Sequence, residues 1–205
     1  LTLAYGSSQL FTAAPDEGYT VDSWSIDGTE VQSGGLTYAL ENITADHTVA
    51  VSFKLLSFTV TASAGGHGSV DPNGVLTLAY GSSQLFTAVP DAGYTVDVWT
   101  VDGTEVQSGG LTYTLENITA DHVVAVSFKP LTFTVTASAG DYGFIDPNGV
   151  LTLEYGSSQL FTAAPDEGYT VDAWSVDGEA VQSGGLTYAL ENITADHTVA
   201  VSFKL

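Results

Sequence analysis

The 205-residue sequence has no cysteine and no methionine, and its three lysines are the only Lys or Arg residues. Without cysteine there is neither a disulfide framework nor a thiolate metal site, so the redox compartment cannot be inferred. Against these three cations stand 24 acidic residues, and the formal net charge is −21. Binding to phosphates needs Lys or Arg to displace counterions. We therefore expect no nucleic-acid partner.

Long hydrophobic runs are also missing. No stretch is long enough to span a bilayer, so we expect no membrane insertion. There is no initiator Met, recognisable signal peptide or sorting tail, and we expect the sequence to be a piece of a longer, processed chain. No segment shows a sustained helical period, which indicates an all-β protein.

What the sequence does have is a repeat. The stretch PDEGYTVDSWSIDG at Pro15–Gly28 returns 75 residues later from Pro90, and again from Pro165. A fixed period of this size predicts tandem modules rather than one large domain. The predicted modules are 1–55, which lacks the first hairpin, 56–130 and 131–205.

The 55-residue block occurs three times, but a 20-residue hairpin segment occurs only twice, at Leu56–Val75 and Leu131–Val150. Two interpretations stay open. Either the first module is incomplete, or each hairpin segment completes the block before it. An incomplete β-module has an unpaired edge, and such edges recruit strands from other chains.

Within the middle module, apolar and polar residues alternate with a period of two, which is typical of half-buried strands. The fold predicted is a tandem array of small antiparallel β-sandwich-like modules, and β-grasp-like modules are the alternative. The predicted strands of this module are Phe58–Ala62, Val75–Ala79, Ser83–Val89, Tyr94–Val101, Leu111–Glu116 and Val123–Lys129.

One strand breaks the alternation. Tyr19 and Val21 share one face, and strict alternation would send Trp24 to the other. A β-bulge at Asp22-Ser23 would return Trp24 to the Tyr19 side. We therefore predict equivalent cores, since a buried Trp contributes a large apolar area. The predicted core residues are Trp24, Trp99, Trp174, Tyr19, Tyr94, Tyr169, Phe53, Phe128 and Phe203.

Three segments together resemble a known bacterial repeat: FTVTASAGGHGSVDPNG from Phe58, YGSSQLFTAVPDAGYTVDVWTVDG from Tyr80 and LTYTLENITADHVVAVSFK from Leu111. They are similar to the divergent internalin-B-type B-repeat, and the resemblance covers essentially the whole chain. Gln9 departs from the family pattern, which more often has an apolar residue there. The resemblance implies an extracellular or cell-surface stalk, spacer or adhesive array, usually without catalytic activity.

The residues themselves point to little chemistry. The Ala-Asp-His sequence at His47, His122 and His197 lies next to a strand start and indicates turn or capping chemistry rather than an acid/base catalyst. We expect no enzyme activity and no cofactor. Two acidic groups are candidate calcium ligands, Asp16 and Glu17 with Asp22, and Asp27 with Glu30, but neither forms a D-x-D-x-D-G loop. The sequons at Asn42, Asn117 and Asn192 are candidate glycosylation sites.

The sequence therefore predicts a non-enzymatic structural repeat of a bacterial secreted or cell-surface protein: a stalk, an adhesin spacer, or a fibre subunit that polymerises by strand donation. Its partners would be neighbouring repeats or other copies. The alternative is a multivalent module that binds a surface carbohydrate or a host protein through the exposed rings of Tyr5, Tyr80 and Tyr155.

Overall fold

The computed structural model describes all 205 residues and contains strands and turns but no helix. No element is a helix of the length and hydropathy needed to cross a membrane. The strands of residues 1–55 are β1 (Ser7–Thr12), β2 (Tyr19–Ile26), β3 (Thr29–Ser33), β4 (Thr37–Ile43) and β5 (Val49–Leu55).

The two longer repeats contain eight strands each. Those of the second are β6 (Ser57–Ala64), β7 (Gly68–Asp71), β8 (Gly74–Ala79), β9 (Gln84–Pro90), β10 (Tyr94–Val101), β11 (Thr104–Ser108), β12 (Thr112–Leu115) and β13 (His122–Pro130). Those of the third are β14 (Thr132–Ala139), β15 (Gly143–Asp146), β16 (Gly149–Glu154), β17 (Gln159–Pro165), β18 (Thr170–Val176), β19 (Glu179–Ser183), β20 (Thr187–Leu190) and β21 (His197–Lys204).

Each of these repeats forms two sheets around one core. In the second repeat a five-stranded sheet has the order β11-β10-β13-β6-β8 and a three-stranded sheet has the order β12-β9-β7. Eleven buried residues drawn from both sheets form a single cluster, and the third repeat has an equivalent cluster of eleven. Two sheets that share one core make a β-sandwich.

The all-β fold class predicted from the sequence is confirmed, with one refinement. The pairs β6–β13 and β14–β21 are parallel, and every other strand pair is antiparallel. The β-grasp alternative, in which a helix packs on the sheet, is not the architecture observed. Strands β6, β7 and β8 lie in the same two sheets as β9–β13, so the hairpin segment belongs with the block that follows it.

The predicted bulge is also confirmed. Along β2 and β5, Val21 pairs with Phe53 and Ser23 pairs with Ser52, which leaves Asp22 as the extra residue. The extra residue brings Trp24 to the same side as Val21, and both are buried. The strand then ends in a tight hairpin turn at Asp27-Gly28, where both residues have positive φ.

Residues 1–55 form a smaller version of the same unit. Strands β3-β2-β5 make a three-stranded sheet and β1-β4 a two-stranded sheet, and the buried cluster contains only Ala13, Val21 and Trp24. We call these residues the open block. No strand of these 205 residues pairs with β5 on the side where β6 pairs with β13.

The predicted core residues fall into two groups. Trp24, Trp99 and Trp174 are buried, and Phe128, Phe203, Tyr94 and Tyr169 are half-buried. Tyr19 and Phe53 are 46% and 43% exposed, which corrects the expectation that they lie in a core. The physical reason is that their equivalents are covered by a hairpin segment, which the open block lacks.

Candidate functional site

Each histidine of the three Ala-Asp-His sequences contacts an aspartate in a nearby turn. We call this contact, together with the backbone hydrogen bond to the same carboxylate, a clip. Nδ1 of His47 is 2.8 Å from Oδ2 of Asp27, and the other carboxylate oxygen accepts a hydrogen bond from the N–H of Thr48. This backbone hydrogen bond, followed by the one to His47, holds the pKa of Asp27 below its usual range. The clip ties the turn after β2 to the start of β5.

The same clip recurs at Asp102 with His122, and at Asp177 with His197, both at 2.7 Å. In all three copies the carboxylate satisfies a backbone donor rather than orienting a nucleophile. The arrangement therefore supports a turn, as the sequence position of these histidines indicated.

The acidic residues considered as calcium ligands are dispersed. Asp22 pairs with Lys54 at 3.1 Å, and Asp97 and Asp172 pair with the other two lysines in the same way. No three His, Asp or Glu side chains come together in a group that could hold a metal ion. Asp27 instead forms the contact with His47, and Asp22 forms the ion pair with Lys54.

The three sequon asparagines share one backbone conformation. Asn42, Asn117 and Asn192 are exposed and have φ values of 50°, 49° and 53°. Asn is among the few residues other than Gly that tolerate this left-handed region. The turn thus accounts for Asn at these positions, and their glycosylation stays a prediction.

A repeated contact links each repeat to the one before it. The ring of Tyr80 lies on Gly18 so closely that a Cβ at residue 18 would be 2.4 Å from Cδ1 of the ring. The Tyr80 hydroxyl donates to Oε1 of Glu17, at 2.5 Å, and this bond raises the pKa of Tyr80. The N–H of Leu56 donates to Gly18 O at 2.7 Å, and the N–H of Tyr80 donates to Leu56 O at 2.8 Å.

The second junction has the same geometry. Tyr155 lies on Gly93, the N–H of Leu131 donates to Gly93 O at 2.8 Å, and the N–H of Tyr155 donates to Leu131 O at 2.9 Å. Ala92 stands where the first junction has Glu17, so Tyr155 has no carboxylate partner. At the two ends of the chain the equivalent residues are free: Tyr5 is 85% exposed, and nothing lies near Gly168.

The open block contains a cavity with a volume of about 620 Å³. Its apolar walls come from Leu1, Leu3, Phe11, Leu40, Ile43 and Val49. A second opening of about 210 Å³ is lined by Ala14, Asp16, Tyr19 and Phe53. Both lie where the other two repeats place their hairpin segment.

Comparison with family models decides the classification. The model of the divergent InlB B-repeat domain matches three times, at residues 2–56, 58–132 and 133–205. The chain belongs to the divergent InlB B-repeat family. The resemblance inferred from its motifs is therefore confirmed, and the family indicates a non-catalytic structural repeat.

Comparison of these B-repeats with curated proteins gives no match. Among solved structures, the chain is similar to the central fibronectin-III array of RIM-binding protein, with 15% identity, 93% of this chain and 82% of that chain covered, and a TM-score of 0.20. The I67–I69 fragment of the titin I-band shows 9% identity, coverage of 96% and 92%, and a TM-score of 0.18. TM-scores of this size carry no conclusion about the fold, which follows from the strand pairing and the shared cores.

The B-repeat junction was missed from the sequence. Tyr80 and Tyr155 were considered as exposed rings for a glycan, whereas the structure packs both against the preceding repeat. A signal was present, because the Tyr-Gly pair and the Pro-Asp-x-Gly turn recur together in every copy. Their contact could not be found by local alternation, since it joins residues about one repeat apart.

Proposed function

We propose that this chain is a non-enzymatic spacer of a bacterial secreted or cell-surface protein, in which the junctions hold successive B-repeats at a fixed angle. The observation that carries the proposal is the recurrence of one contact, Tyr80 on Gly18 and Tyr155 on Gly93, with the same backbone hydrogen bonds. A contact repeated with the sequence period adds the same geometry at each step, as in other repeat arrays.

The charge distribution supports an extended array. Each block has one lysine, and that lysine pairs with an aspartate of its own block, so the excess of acidic groups faces solvent. Like charges of this density repel neighbouring arrays and keep them soluble.

Small-angle X-ray scattering on matched glycine variants tests the spacer function. Gly18 and Gly168 have similar positive φ values of 79° and 85°, but only Gly18 has a tyrosine ring against it. We expect Gly18→Ala to open the first junction and broaden the distribution of inter-repeat distances, whereas Gly168→Ala should add the same backbone strain without this effect. Equal scattering from the two variants would show that the junction does not set the angle between repeats.

A second candidate function is that of a fibre subunit assembled by strand donation. The observation that favours it is the free edge of β5, beside the cavity of about 620 Å³. Light scattering after size exclusion, at two salt concentrations, tests self-association. A series of multiples of the chain mass supports the fibre, and a single species of formula mass contradicts it.

The placement of the rings does not favour the alternative of a multivalent glycan-binding or host-protein-binding module. Tyr80 and Tyr155 each pack one side of the ring against the preceding repeat, although Tyr155 stays 42% exposed and Tyr5 is 85% exposed.

A further inference from the structure

The second and third repeats differ at one corner of the sandwich. The segment that leads from β6 into β7 reads GHGSV at 66–70, and the equivalent segment between β14 and β15 reads DYGFI at 141–145. Within this segment only the central glycine is shared, whereas β6 and β14 differ only in their first residue. The third repeat therefore presents a different surface on the same framework.

The changes place two exposed aromatic rings at this corner. Tyr142 is 53% exposed and Phe144 is 70% exposed. Only Gly143 separates them in the chain, so both rings belong to one small surface. One face of the Tyr142 ring stacks on Tyr169, with ring centroids 4.3 Å apart and an interplanar angle of 6°. This stacking holds the Tyr142 ring in place while about half of it stays open to solvent. We call Tyr142, Phe144 and the carboxylates beside them the aromatic corner.

A neighbouring repeat does not cover this position in an array. The equivalent residues of the second repeat, His67 and Ser69, are exposed even though Tyr155 of the third repeat packs on Gly93 of the second. The corner is therefore accessible beside an occupied junction. Exposed apolar groups that lie together are typical of surfaces that contact a partner.

The charges beside the two rings are negative. Asp141 directly precedes Tyr142, and the N–H of Asp166 donates to Tyr142 O at 2.9 Å, so both aspartates lie at the corner. Both are exposed, and neither forms an ion pair. The single lysine of this repeat, Lys204, pairs with Asp172 at 2.8 Å. The corner thus combines aromatic rings with negative charge that the chain does not neutralise.

We propose that the aromatic corner binds an arginine-containing basic segment of a partner protein. A guanidinium group stacks flat on an aromatic face and is less strongly hydrated than an ammonium group. Tyr142 and Phe144 supply the rings, and Asp141 and Asp166 supply the opposite charge. These 205 residues contain no arginine and have a net charge of −21, so another copy of them does not fit the site. The site goes beyond the spacer function and depends on neither junction.

An exposed ring can also stack on a neutral sugar, but the surroundings favour a cation. Sites for small neutral ligands are mostly concave, with several polar groups placed around the ligand. The rings of Tyr142 and Phe144 instead project from an open surface. The changes that add these rings also add the carboxylate of Asp141, where the second repeat has Gly66. A carboxylate attracts a cation and gives a neutral sugar no such advantage.

NMR titration of the 205-residue chain with two short peptides tests the proposal. One probe is a hexapeptide of alternating arginine and glycine, and the other has lysine in place of arginine at the same charge. The sequence at 141–145 occurs once in the chain, so its amide signals are distinct. We expect the arginine peptide to shift these signals and to bind about tenfold more tightly than the lysine peptide, because the guanidinium group stacks on both rings. Equal affinities of the two peptides, or equal shifts at 66–70, would overturn the proposal.

The second repeat provides the matched control for the rings. A variant with both Tyr142→His and Phe144→Ser has the residues of the second repeat at these positions, and its formal charge at pH 7 is unchanged. The second repeat folds with these residues, so we expect the variant to fold. The arginine peptide should bind it about tenfold more weakly, and the lysine peptide should change by less than about twofold. Unchanged binding of the arginine peptide would show that overall charge alone attracts it and would refute the site.

Two further variants separate local from long-range attraction. Asp141→Asn and Glu154→Gln each remove one negative charge, but Glu154 lies opposite Thr132 at the start of β14, whereas Asp141 follows the end of that strand. Asp141→Asn should weaken binding of the arginine peptide about threefold, and Glu154→Gln should leave it nearly unchanged. Equal weakening by the two variants would contradict a local site.

Cellohexaose, a neutral glucan, is the probe for the competing ligand class. We expect it to leave the signals of 141–145 in place. Shifts that cellohexaose produces there, and that disappear in the variant with Tyr142→His and Phe144→Ser, would identify a sugar site and overturn the proposal. Neither result affects the spacer function, because the scattering test of that function concerns Gly18 in the first junction.

Discussion

Residues 1–55 and 76–130 differ at only eight positions, but their cores differ far more. The second repeat buries eleven residues in one cluster, and the open block buries three. Val60, Ala62 and Val70 come directly from the hairpin segment. The remaining difference is in residues that both copies share: Phe86, Leu115, Ile118, Val124 and Val126 are buried, whereas Phe11, Leu40, Ile43, Val49 and Val51 are half-buried.

The comparison shows that burial in this array is decided by the segment that covers a block rather than by the block's own residues. A hairpin of 20 residues converts a loosely covered two-sheet unit into a closed sandwich. Units of this size bury only a modest fraction of their surface when they fold, so each residue that the hairpin covers contributes to the stability of the repeat.

The largest effect is expected from a substitution that detaches the hairpin segment Leu56–Val75 from the rest of the second repeat. Val60→Asp should cost about 5 kcal/mol or more, because it places an unpaired charge in a fully buried apolar site. We expect β6–β8 to detach and hydrogen exchange in the second repeat to rise to the level of the open block.

Ser63→Asp is the matched control for this change. Ser63 lies on the same strand, but its side chain is exposed. Hydrogen exchange should stay close to that of the unmodified chain. Similar exchange in both variants would mean that the hairpin is not held by its buried face.

A second pair of variants compares one equivalent position in the second repeat and in the open block. Phe86 is fully buried and Phe11, its equivalent, is half-buried. Phe86→Ala should cost about 3–5 kcal/mol through lost burial and a cavity, and Phe11→Ala about half as much. Hydrogen exchange resolved by repeat measures both, since a chain of several repeats need not unfold in a single step. Equal costs would show that the open block is as well packed as the complete repeat.

Local patterns predicted most strands and the bulge at Asp22, because these depend on neighbours in the sequence. Two short strands were missed, β7 (Gly68–Asp71) and β11 (Thr104–Ser108). Only Val70 of β7 is buried, so it has no alternation to detect. The parallel pairing of β6 with β13 joins residues far apart in the sequence, and no local period carries that information.

The candidate sites depended even more on distant contacts. The role of Tyr80 is set by Gly18 in the preceding repeat, and the exposure of Tyr19 and Phe53 is set by the missing hairpin. The residue types correctly indicated that the side chains at these positions are largely apolar and suited to packing against another segment. It could not indicate which segment covers them.

The two junctions offer a finer comparison. Tyr80→Phe removes the hydroxyl that donates to Glu17, whereas Tyr155→Phe removes a hydroxyl without a carboxylate partner, since Ala92 stands at the position of Glu17. The pKa of Tyr80 is raised, so its neutral form is favoured at the junction. This contribution is present below the ordinary tyrosine pKa of 10.0 and is lost as pH rises through the raised value.

Ultraviolet difference titration checks this prediction. The unmodified chain should contain one tyrosine that ionises later than the others, and this late step should disappear in Tyr80→Phe but persist in Tyr155→Phe. A late step that survives in Tyr80→Phe would assign the raised pKa to another residue.

The smallest effect is expected where the open block and the complete repeat should behave alike. The Asp27 and Asp102 clips have nearly the same geometry, and their hydrogen bonds involve no hairpin residue. The pKa of each carboxyl is lowered, first by the backbone N–H it accepts from and then by its histidine. Each clip therefore stabilises its block above the ordinary Asp pKa of 3.8, and this contribution is lost as pH falls through the lowered value.

Asp27→Asn and Asp102→Asn should each reduce this acid dependence, by similar amounts, as measured by hydrogen exchange in the first and second repeats across acidic pH. Equal effects would mean that the turn and β5 are already formed in the open block, and that it lacks only what the hairpin supplies. A much weaker effect in Asp27→Asn would instead show that the hairpin also orders the clip.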